Sequence, residues 1–343
     1  MSELSVKIVS LKGSYVQFGK TQGKELKNTP LLEQLKMLSS LNSHPNVQKG
    51  EQLLKQFSPN LLEEIEGLGK ALGVEREMAL RFSGYDVIFP KMGCTTLVTN
   101  GTYIRNYDFS PMLYDARLVF TKPTDGYATV GFSQQILGRL DGMNEKGLVV
   151  GLHFVNNEER AEGFFATTIV RMVLEQCADV DEAIELITNI PHGYCYNYSI
   201  TDRSGKGIIV EAAPDKQIIS ENDPLICTNH FISESLLSKN RNDLQLQGSI
   251  ARKNYIESLL ENNDKTINYY KAFNNEDSPL FSSYYDQFFG TLHTVIYDPK
   301  DLKVVVGIGK NSSPIEFSLK AYLKDELILP ETITGWIEYE MLG

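Results

Sequence analysis

One short stretch of the chain combines residue types that could form a nucleophilic site. Cys94 directly follows Gly93, and Arg105 and Asp108 come shortly after it. If the bond between Gly93 and Cys94 were cut, the Cys94 thiol would lie beside its own α-amino group. That amine titrates at about 7.7–8.0, close to the thiol at roughly 8.5, so it can serve as the thiol's base. Arg105 and Asp108 would then be available to hold the amine, the thiolate or a substrate carbonyl.

A β-hairpin is predicted to position these residues. Residues 95–99 and 102–107 are β-branched or apolar enough to form two strands, and the Asn-Gly pair between them is a strong turn signal. Cys94 then lies at the start of one strand, with Arg105 and Asp108 towards the end of its partner. Because strand side chains alternate, Arg105 and Asp108 are expected on different faces unless the strand ends or bulges between them.

The composition is that of an acidic globular protein. The 343 residues carry a formal net charge of −11, with 42% hydrophobic and 22% charged residues. This charge argues against a nucleic-acid surface and against docking on anionic lipid. The four cysteines lack paired spacing, so no metal site or disulfide framework is predicted. Without a leader pattern or a long apolar run, we predict a cytoplasmic protein that needs no cofactor and no membrane.

The first part of the chain differs in character from the rest. Residues 4–10 alternate as a short strand would, and residues 15–82 have helical character that ends just before Gly93. We therefore predict a helical prosegment over residues 1–93 and a catalytic domain over residues 94–343. Apolar stripes on the helices indicate that the prosegment packs on the catalytic domain.

Strands and helices then follow in an order typical of an α+β protein. Strands are predicted near residues 95–99, 102–107, 117–122, 127–133, 147–154, 196–201, 207–211, 225–228, 291–297 and 302–308. Helices are predicted within residues 165–189, as a consecutive pair, and over residues 249–261 and 266–273.

Three motifs carry a resemblance to a known group of enzymes. They occur in the order Cys94-Thr95-Thr96, Arg105-x-x-Asp108 and Asp141-Gly142-Met143-Asn144-Glu145-Lys146-Gly147. This order resembles the N-terminal-nucleophile cysteine hydrolases, and within them the choloylglycine hydrolase and isopenicillin N acyltransferase (acyl-coenzyme A:6-aminopenicillanic acid acyltransferase) group. The resemblance implies a four-layer αββα sandwich, self-cleavage between Gly93 and Cys94, and a Cys94 acyl-enzyme.

The resemblance also implies roles for individual residues. Asp108 would contact the Cys94 amine, and Arg105 would steady the thiolate. Asn197 resembles an oxyanion-binding Asn of the acyltransferase relatives, and Arg252 corresponds to an Arg that opens a helix and points into the site. The motif around Asn144 is predicted to be a structural turn with a positive φ at Gly147.

Three further residues are predicted to bind substrate. His153 stands where bile-salt hydrolases carry an oxyanion-hole Asn, a departure that argues against a bile-salt substrate. Asn229 and His230 match a pocket-lining segment of the family. Each candidate also has an ordinary reading, in which Cys94 is an inert core cysteine, Arg105 and Asp108 form a surface ion pair, and the remaining residues are structural.

The motifs favour hydrolysis of a linear C–N amide bond in a small N-acyl or peptide-like substrate. One alternative is transfer of an acyl group from an acyl-coenzyme A donor to an amine, and another is a catalytically retired homologue that binds an acyl ligand. An uncut hydrolase with a Cys–His pair, using His230 or His153, is a further possibility. The cleaved α chain (residues 1–93) and β chain (residues 94–343) are expected to stay associated, and a homo-oligomer is possible.

Overall fold

Sixteen strands and ten helices make up the regular structure of the computed structural model, which describes residues 1–261 and 268–339. In chain order the strands are β1 (Ser2–Gly13), β2 (Gly93–Thr99), β3 (Thr102–Phe109), β4 (Arg117–Pro123), β5 (Thr129–Gln134), β6 (Gly138–Arg139), β7 (Asp141–Asn144), β8 (Val149–Phe154), β9 (Tyr196–Thr201), β10 (Gly207–Ala213), β11 (Lys216–Glu221), β12 (Leu225–Cys227), β13 (Gly290–Asp298), β14 (Lys303–Ile308), β15 (Ile315–Ser318) and β16 (Thr332–Ile337). The helices are α1 (Tyr15–Leu26), α2 (Pro30–Ser40), α3 (Val47–Phe57), α4 (Pro59–Leu72), α5 (Arg76–Leu80), α6 (Ala166–Gln176), α7 (Val180–Asn189), α8 (Leu244–Glu261), α9 (Tyr269–Asn274) and α10 (Leu319–Leu323).

The strands form two sheets. The ten-stranded sheet has the order β11-β10-β9-β8-β7-β5-β4-β1-β16, with β6 paired to β5. The six-stranded sheet has the order β12-β2-β3-β13-β14-β15. Neighbouring strands are antiparallel except for β1 and β4, which run parallel.

The two sheets pack face to face, with helices on their outer surfaces. On β7, Asp141 faces Arg105 of the smaller sheet, whereas the next residue, Gly142, lies against Leu174 of α6. On β3 the neighbouring residue Asn106 points the other way and donates to the Phe273 carbonyl of α9. This alternation confirms the predicted α+β class and the four-layer αββα arrangement.

The predicted prosegment is more than a set of helices. The helical character of residues 15–82 corresponds to α1–α5, but the short strand expected over residues 4–10 is the twelve-residue β1. It pairs with β4 along one edge and β16 along the other, and its Val6, Val9 and Leu11 are buried. Residues 2–7 pair with β16 and residues 7–13 pair with β4, so the two partners in succession account for its length.

Most other predicted elements are confirmed, but the sequence pattern did not predict the short strands β6 and β7 or several elements in the C-terminal half. Residues 216–221, 315–318 and 332–337 form strands that the pattern did not predict, and residues 319–323 form a short helix. These strands are at sheet edges, where few apolar side chains mark them. The helix predicted at 266–273 begins at Tyr269, and its first two predicted positions lie outside the described residues.

Candidate active site

The β2–β3 hairpin forms as predicted and brings the candidate residues together. Asn100 and Gly101 have φ values of 51° and 71°, as both central residues of a type I′ turn require. In the resulting register Cys94 lies opposite Tyr107, and Gly93 lies opposite Asp108. The glycine before the candidate nucleophile is therefore directly beside one of the two predicted polar partners.

Arg105 and Asp108 lie on opposite faces of the smaller sheet, as their spacing predicts. Arg105 points between the two sheets, where it contacts Asp141. Asp108 points to the other face, where its Oδ1 accepts a hydrogen bond of 2.6 Å from Thr291 Oγ1. Both side chains are buried, so the ordinary reading of a surface ion pair between them is wrong.

Arg105 holds the candidate nucleophile. Its Nη2 lies 2.8 Å from Cys94 Sγ and 2.5 Å from the Leu152 carbonyl oxygen, to which it donates. Its Nη1 donates to Asp141 Oδ2 at 2.8 Å. Burial raises the pKa of the Cys94 thiol to about 12, and Arg105 opposes this effect. In the uncut chain the thiol is therefore protonated at neutral pH.

Asp141 is a site residue that the sequence analysis missed. Burial opposes its ionisation, but the Arg105 guanidinium and its other partners outweigh burial and hold its pKa below the ordinary value. Its Oδ1 accepts a hydrogen bond of 2.6 Å from the Tyr297 hydroxyl. The signal that the sequence offers is its position at the start of the family motif, which by itself predicts only a turn. That turn itself is confirmed, with Gly147 at a φ of 84°.

Asp108 has an unused oxygen near the predicted cleavage point. Among the described residues, its Oδ2 has no hydrogen-bond partner although the side chain is buried. Burial raises the pKa of this carboxyl, and Arg252 opposes the rise. A Cβ built on Gly93 would lie 3.2 Å from Asp108 Oδ2 and only 2.7 Å from Phe289 Cζ. Only glycine therefore fits at position 93 without displacing these side chains.

Asn229 contacts the backbone of Cys94, and Arg252 contacts Asn229. The Cys94 backbone N–H donates to Asn229 Oδ1 at 2.8 Å, and Arg252 Nη2 donates to the same oxygen at 2.8 Å. Asn229 is fixed in turn by its Nδ2, which donates to the Phe154 carbonyl at 3.0 Å. The Asn229 oxygen thus marks where an amine on Cys94 would lie.

The two predicted histidines have other partners than the thiol. His153 lies close to the Cys94 backbone, but its Nε2 is 2.9 Å from Ser199 Oγ. Its pKa is well below the ordinary value because of burial and the nearby Arg105. His230 Nδ1 lies 2.8 Å from Ser249 Oγ, and burial lowers its pKa to about 4. Within residues 1–261 and 268–339, Arg105 is the hydrogen-bond partner of Cys94 Sγ.

Asn197 supports the pocket loop instead of presenting its amide to Cys94. Its Nδ2 donates to the carbonyl oxygens of Thr228, at 3.1 Å, and His230, at 2.8 Å. These bonds hold the segment that carries Asn229. An oxyanion-binding role for Asn197 stays a prediction.

An apolar cavity of about 350 Å³ opens next to the residues that precede the predicted cleavage point. Three segments of the chain line it: one before Gly93, one after Asp108 and one before Phe289. The lining residues are Pro90, Lys91, Phe109, Ser110, Met112, Leu113 and Phe288. Cys94 itself is fully buried and does not line this cavity.

Comparison with protein families identifies the group to which the chain is related. The model of the acyl-coenzyme A:6-aminopenicillanic acid acyl-transferase family matches residues 97–313. The chain belongs to this family. The match includes Arg105, Asp108, Asn197 and Arg252 and begins shortly after Cys94. Membership confirms the resemblance to the N-terminal-nucleophile group, whose enzymes are amidohydrolases and acyltransferases.

Solved structures from this group are similar to the family member described here. A mutant of conjugated bile acid hydrolase from Clostridium perfringens is 15% identical, covers 74% of this chain and 99% of its own, and has a TM-score of 0.45. Penicillin V acylase from Agrobacterium tumefaciens is 17% identical, covers 66% of this chain and 86% of its own, and has a TM-score of 0.37. The N-acylethanolamine-hydrolyzing acid amidase orthologue of Caenorhabditis elegans is 14% identical, covers 61% and 93%, and has a TM-score of 0.36.

Comparison with curated protein sequences found no match. In the part of the family member that the structure describes, no helix has both the length and the apolar character needed to cross a membrane.

Proposed function

We propose that this chain is a cysteine amidohydrolase that cleaves its own Gly93–Cys94 bond and then cleaves the linear C–N amide bond of a small N-acyl substrate. The observation that carries the proposal is the Arg105 guanidinium, 2.8 Å from the thiol of a cysteine that follows a closely packed glycine. A positive charge on a buried sulfur favours the thiolate, which is the nucleophilic form.

Self-cleavage requires the thiol to attack the peptide bond that precedes it. Cys94 Sγ attacks the Gly93 carbonyl carbon, the C–N bond breaks, and the Cys94 nitrogen leaves as a free amine with the proton from the thiol. Water then hydrolyses the thioester and gives a Gly93 carboxylate and the regenerated thiol. Phe289 and Asp108 support this step because they confine the backbone at Gly93.

The new amine would become the base for substrate turnover. The Asn229 oxygen already accepts the Cys94 N–H, and the unpartnered Asp108 Oδ2 offers a negative charge near the same point. An amine at this position removes the thiol proton as Sγ attacks the substrate carbonyl, and later returns a proton to the leaving nitrogen. Water releases the acyl group from Cys94.

Burial of Cys94 supports cleavage as the event that admits substrate. The side chain has no exposed surface, and the preceding Met92 is buried as well. Phe89 anchors the segment that precedes Gly93, since its ring stacks on Phe109 with centroids 5.7 Å apart. A free end at Gly93 would allow this segment to move away from the thiol.

The extent of the contact between the two pieces supports their continued association after cleavage. The strand β1 hydrogen-bonds to β4 and β16, both of which belong to the β chain. Glu64 of the α chain also forms a buried ion pair of 2.6 Å with Arg171 of the β chain. Separation of the chains would expose paired strand edges and unpair buried charges.

Acyl transfer is the second candidate, and the family name favours it because the enzyme for which the family is named uses an acyl-coenzyme A donor. Transfer and hydrolysis share the acyl-enzyme and differ only in whether an amine or water attacks it. The uncut Cys–His hydrolase has less support, because His153 and His230 are bonded to Ser199 and Ser249.

Mass spectrometry after rapid mixing with N-acyl amides tests the proposed function. We expect the fragment that begins at Cys94 to gain the mass of the acyl group in a single turnover, with free amine as the first product. Cys195→Ala, which removes another buried thiol, should form the same adduct, whereas Cys94→Ala should form none. An adduct that persists in Cys94→Ala would disprove the proposal, and added amine acceptors would distinguish transfer from hydrolysis.

A further inference from the structure

A β-bulge in β13 directs two neighbouring side chains to opposite faces of the smaller sheet. Thr291 pairs with Asp108 and His293 pairs with Tyr107, and the register shifts between the two pairs. Residues two positions apart in a regular strand share one face, so the extra residue, Leu292, separates them. Thr291 consequently supports Asp108, and His293 enters the space between the sheets.

His293 lies in an aromatic environment next to the Asp141 carboxylate. Its ring stacks on Phe132 with centroids 3.6 Å apart, and its Nδ1 lies 2.8 Å from the Tyr114 hydroxyl. Its Nε2 is 3.7 Å from Asp141 Oδ2, which is beyond hydrogen-bond range but close enough for electrostatic attraction.

The protonation of His293 follows from its surroundings. Burial lowers its pKa, although Asp141 opposes this shift, so the ring is neutral at neutral pH. A lone pair on Nε2 would be repelled by the carboxylate. The Nε2–H tautomer therefore faces Asp141, and the Tyr114 hydroxyl donates to Nδ1.

Asp141 is thus fixed by two neighbours and in turn fixes Arg105. Tyr297 donates to Oδ1 at 2.6 Å, His293 faces Oδ2, and Arg105 Nη1 donates to Oδ2 at 2.8 Å. Since the guanidinium is planar, fixing the position of Nη1 also fixes that of Nη2, the nitrogen that contacts Cys94 Sγ. Gly151 leaves the room that this arrangement needs, because a Cβ there would lie 3.1 Å from Arg105 Nε.

We propose that His293 and Tyr297 are positioning residues that hold Asp141 and, through it, keep the Arg105 guanidinium on the Cys94 thiol. This inference rests on the proposed function of Cys94 as the nucleophile. Neither residue contacts the sulfur, so each acts on the thiol only through the Asp141–Arg105 pair.

The pH response of Cys94 also depends on every other titratable or charged group near it. These groups come from five strands and one helix, and they are Tyr103, Arg105, Tyr107, Asp108, Asp141, His153, Cys227, Arg252 and His293. Variants that test His293 and Tyr297 must therefore leave the charge of the site unchanged. His293→Gln and Tyr297→Phe both replace a neutral side chain with a neutral one.

The test is the pH dependence of Cys94 alkylation by iodoacetamide in the purified cleaved protein with both pieces present, since the thiol is buried in the uncut chain, with modification mapped by mass spectrometry. In each variant we expect the midpoint to rise by about one pH unit, and the rate below the midpoint to fall about tenfold. A role confined to packing would lower stability but leave the midpoint where it is. His192→Gln is the matched control, since His192 is also a buried histidine with a lowered pKa but bonds to the Ile187 carbonyl and Tyr198.

Two results would overturn the inference, and they can be told apart. If wild type and both variants share one midpoint, His293 and Tyr297 do not position Arg105, while the proposed function stands. If Cys94 of the cleaved wild type reacts at no pH, or the wild type is never cleaved, the nucleophile assignment fails, and this inference fails with it. Tyr297→Phe removes a single hydroxyl, so it serves as the test if His293→Gln does not fold.

Discussion

Replacement of Arg105 with leucine is expected to slow both self-cleavage and substrate turnover by roughly 10²–10³-fold. The thiol would lose the cation at 2.8 Å that opposes the rise in its pKa on burial. The same change would leave Asp141 buried without its cation, at a cost of about 3–5 kcal/mol in the free energy of unfolding. Urea denaturation and the rate of fragment formation measure the two effects on the same protein.

A double variant separates these two effects. Arg105→Leu combined with Asp141→Leu removes the unpaired charge, so stability should return towards that of the wild type while activity stays lost. If activity recovered together with stability, Arg105 would be a structural residue and the catalytic role assigned to it would be wrong.

Replacement of Glu64 with alanine is expected to destabilise the uncut protein by about 3–5 kcal/mol. Glu64 lies on α4 and is completely buried, where its carboxylate accepts hydrogen bonds of 2.6 Å from both Arg171 and Gln22. Truncation would leave the Arg171 guanidinium short of one partner where residues 1–93 pack on residues 94–343. Urea denaturation in a Cys94→Ala background measures the loss on a single covalent chain.

Glu66 on the same helix provides the matched control. Its side chain is 40% exposed, and its ion pair with Arg76 is 3.5 Å long, so Glu66→Ala should cost less than about 1 kcal/mol. In the cleaved wild-type background, Glu64→Ala should also release the α chain at lower urea concentrations than Glu66→Ala does. Equal stability of the two variants would mean that the buried pair does not hold the chains together.

Local signals were sufficient to predict the hairpin and the faces on which its polar residues lie. The Asn-Gly turn determines which residues face one another, and this register places Asp108 beside Gly93. Strand alternation predicted that Arg105 and Asp108 would diverge, and the structure confirms it. These properties depend on neighbours in sequence, which a pattern of residue types records directly.

The support for Arg105 could not be predicted in the same way. Asp141, His293 and Tyr297 come from strands far apart in sequence, and they meet only when the two sheets pack. The bulge that turns His293 inward has no marker, because Leu292 is an ordinary buried strand residue. The full extent of β1 was underestimated for a related reason, since its pairing with β16 involves residues at the two ends of the chain.

The uncut structure leaves no room for a substrate to reach the Cys94 thiol. Cys94 is buried, protonated at neutral pH and bonded through its backbone N–H to Asn229. Cutting the preceding bond would change two of these conditions together, because it creates an amine on Cys94 and frees the segment above it. Self-cleavage is therefore the step on which the proposed activity depends.

Intact mass spectrometry of the purified wild type beside Cys94→Ala tests that step most directly. We predict two fragments in the wild type, one ending at Gly93 and one beginning at Cys94, and a single uncut chain in the variant. A wild type that remains uncut, or a Cys94→Ala chain that is cut at the same bond, would contradict self-activation by the Cys94 thiol.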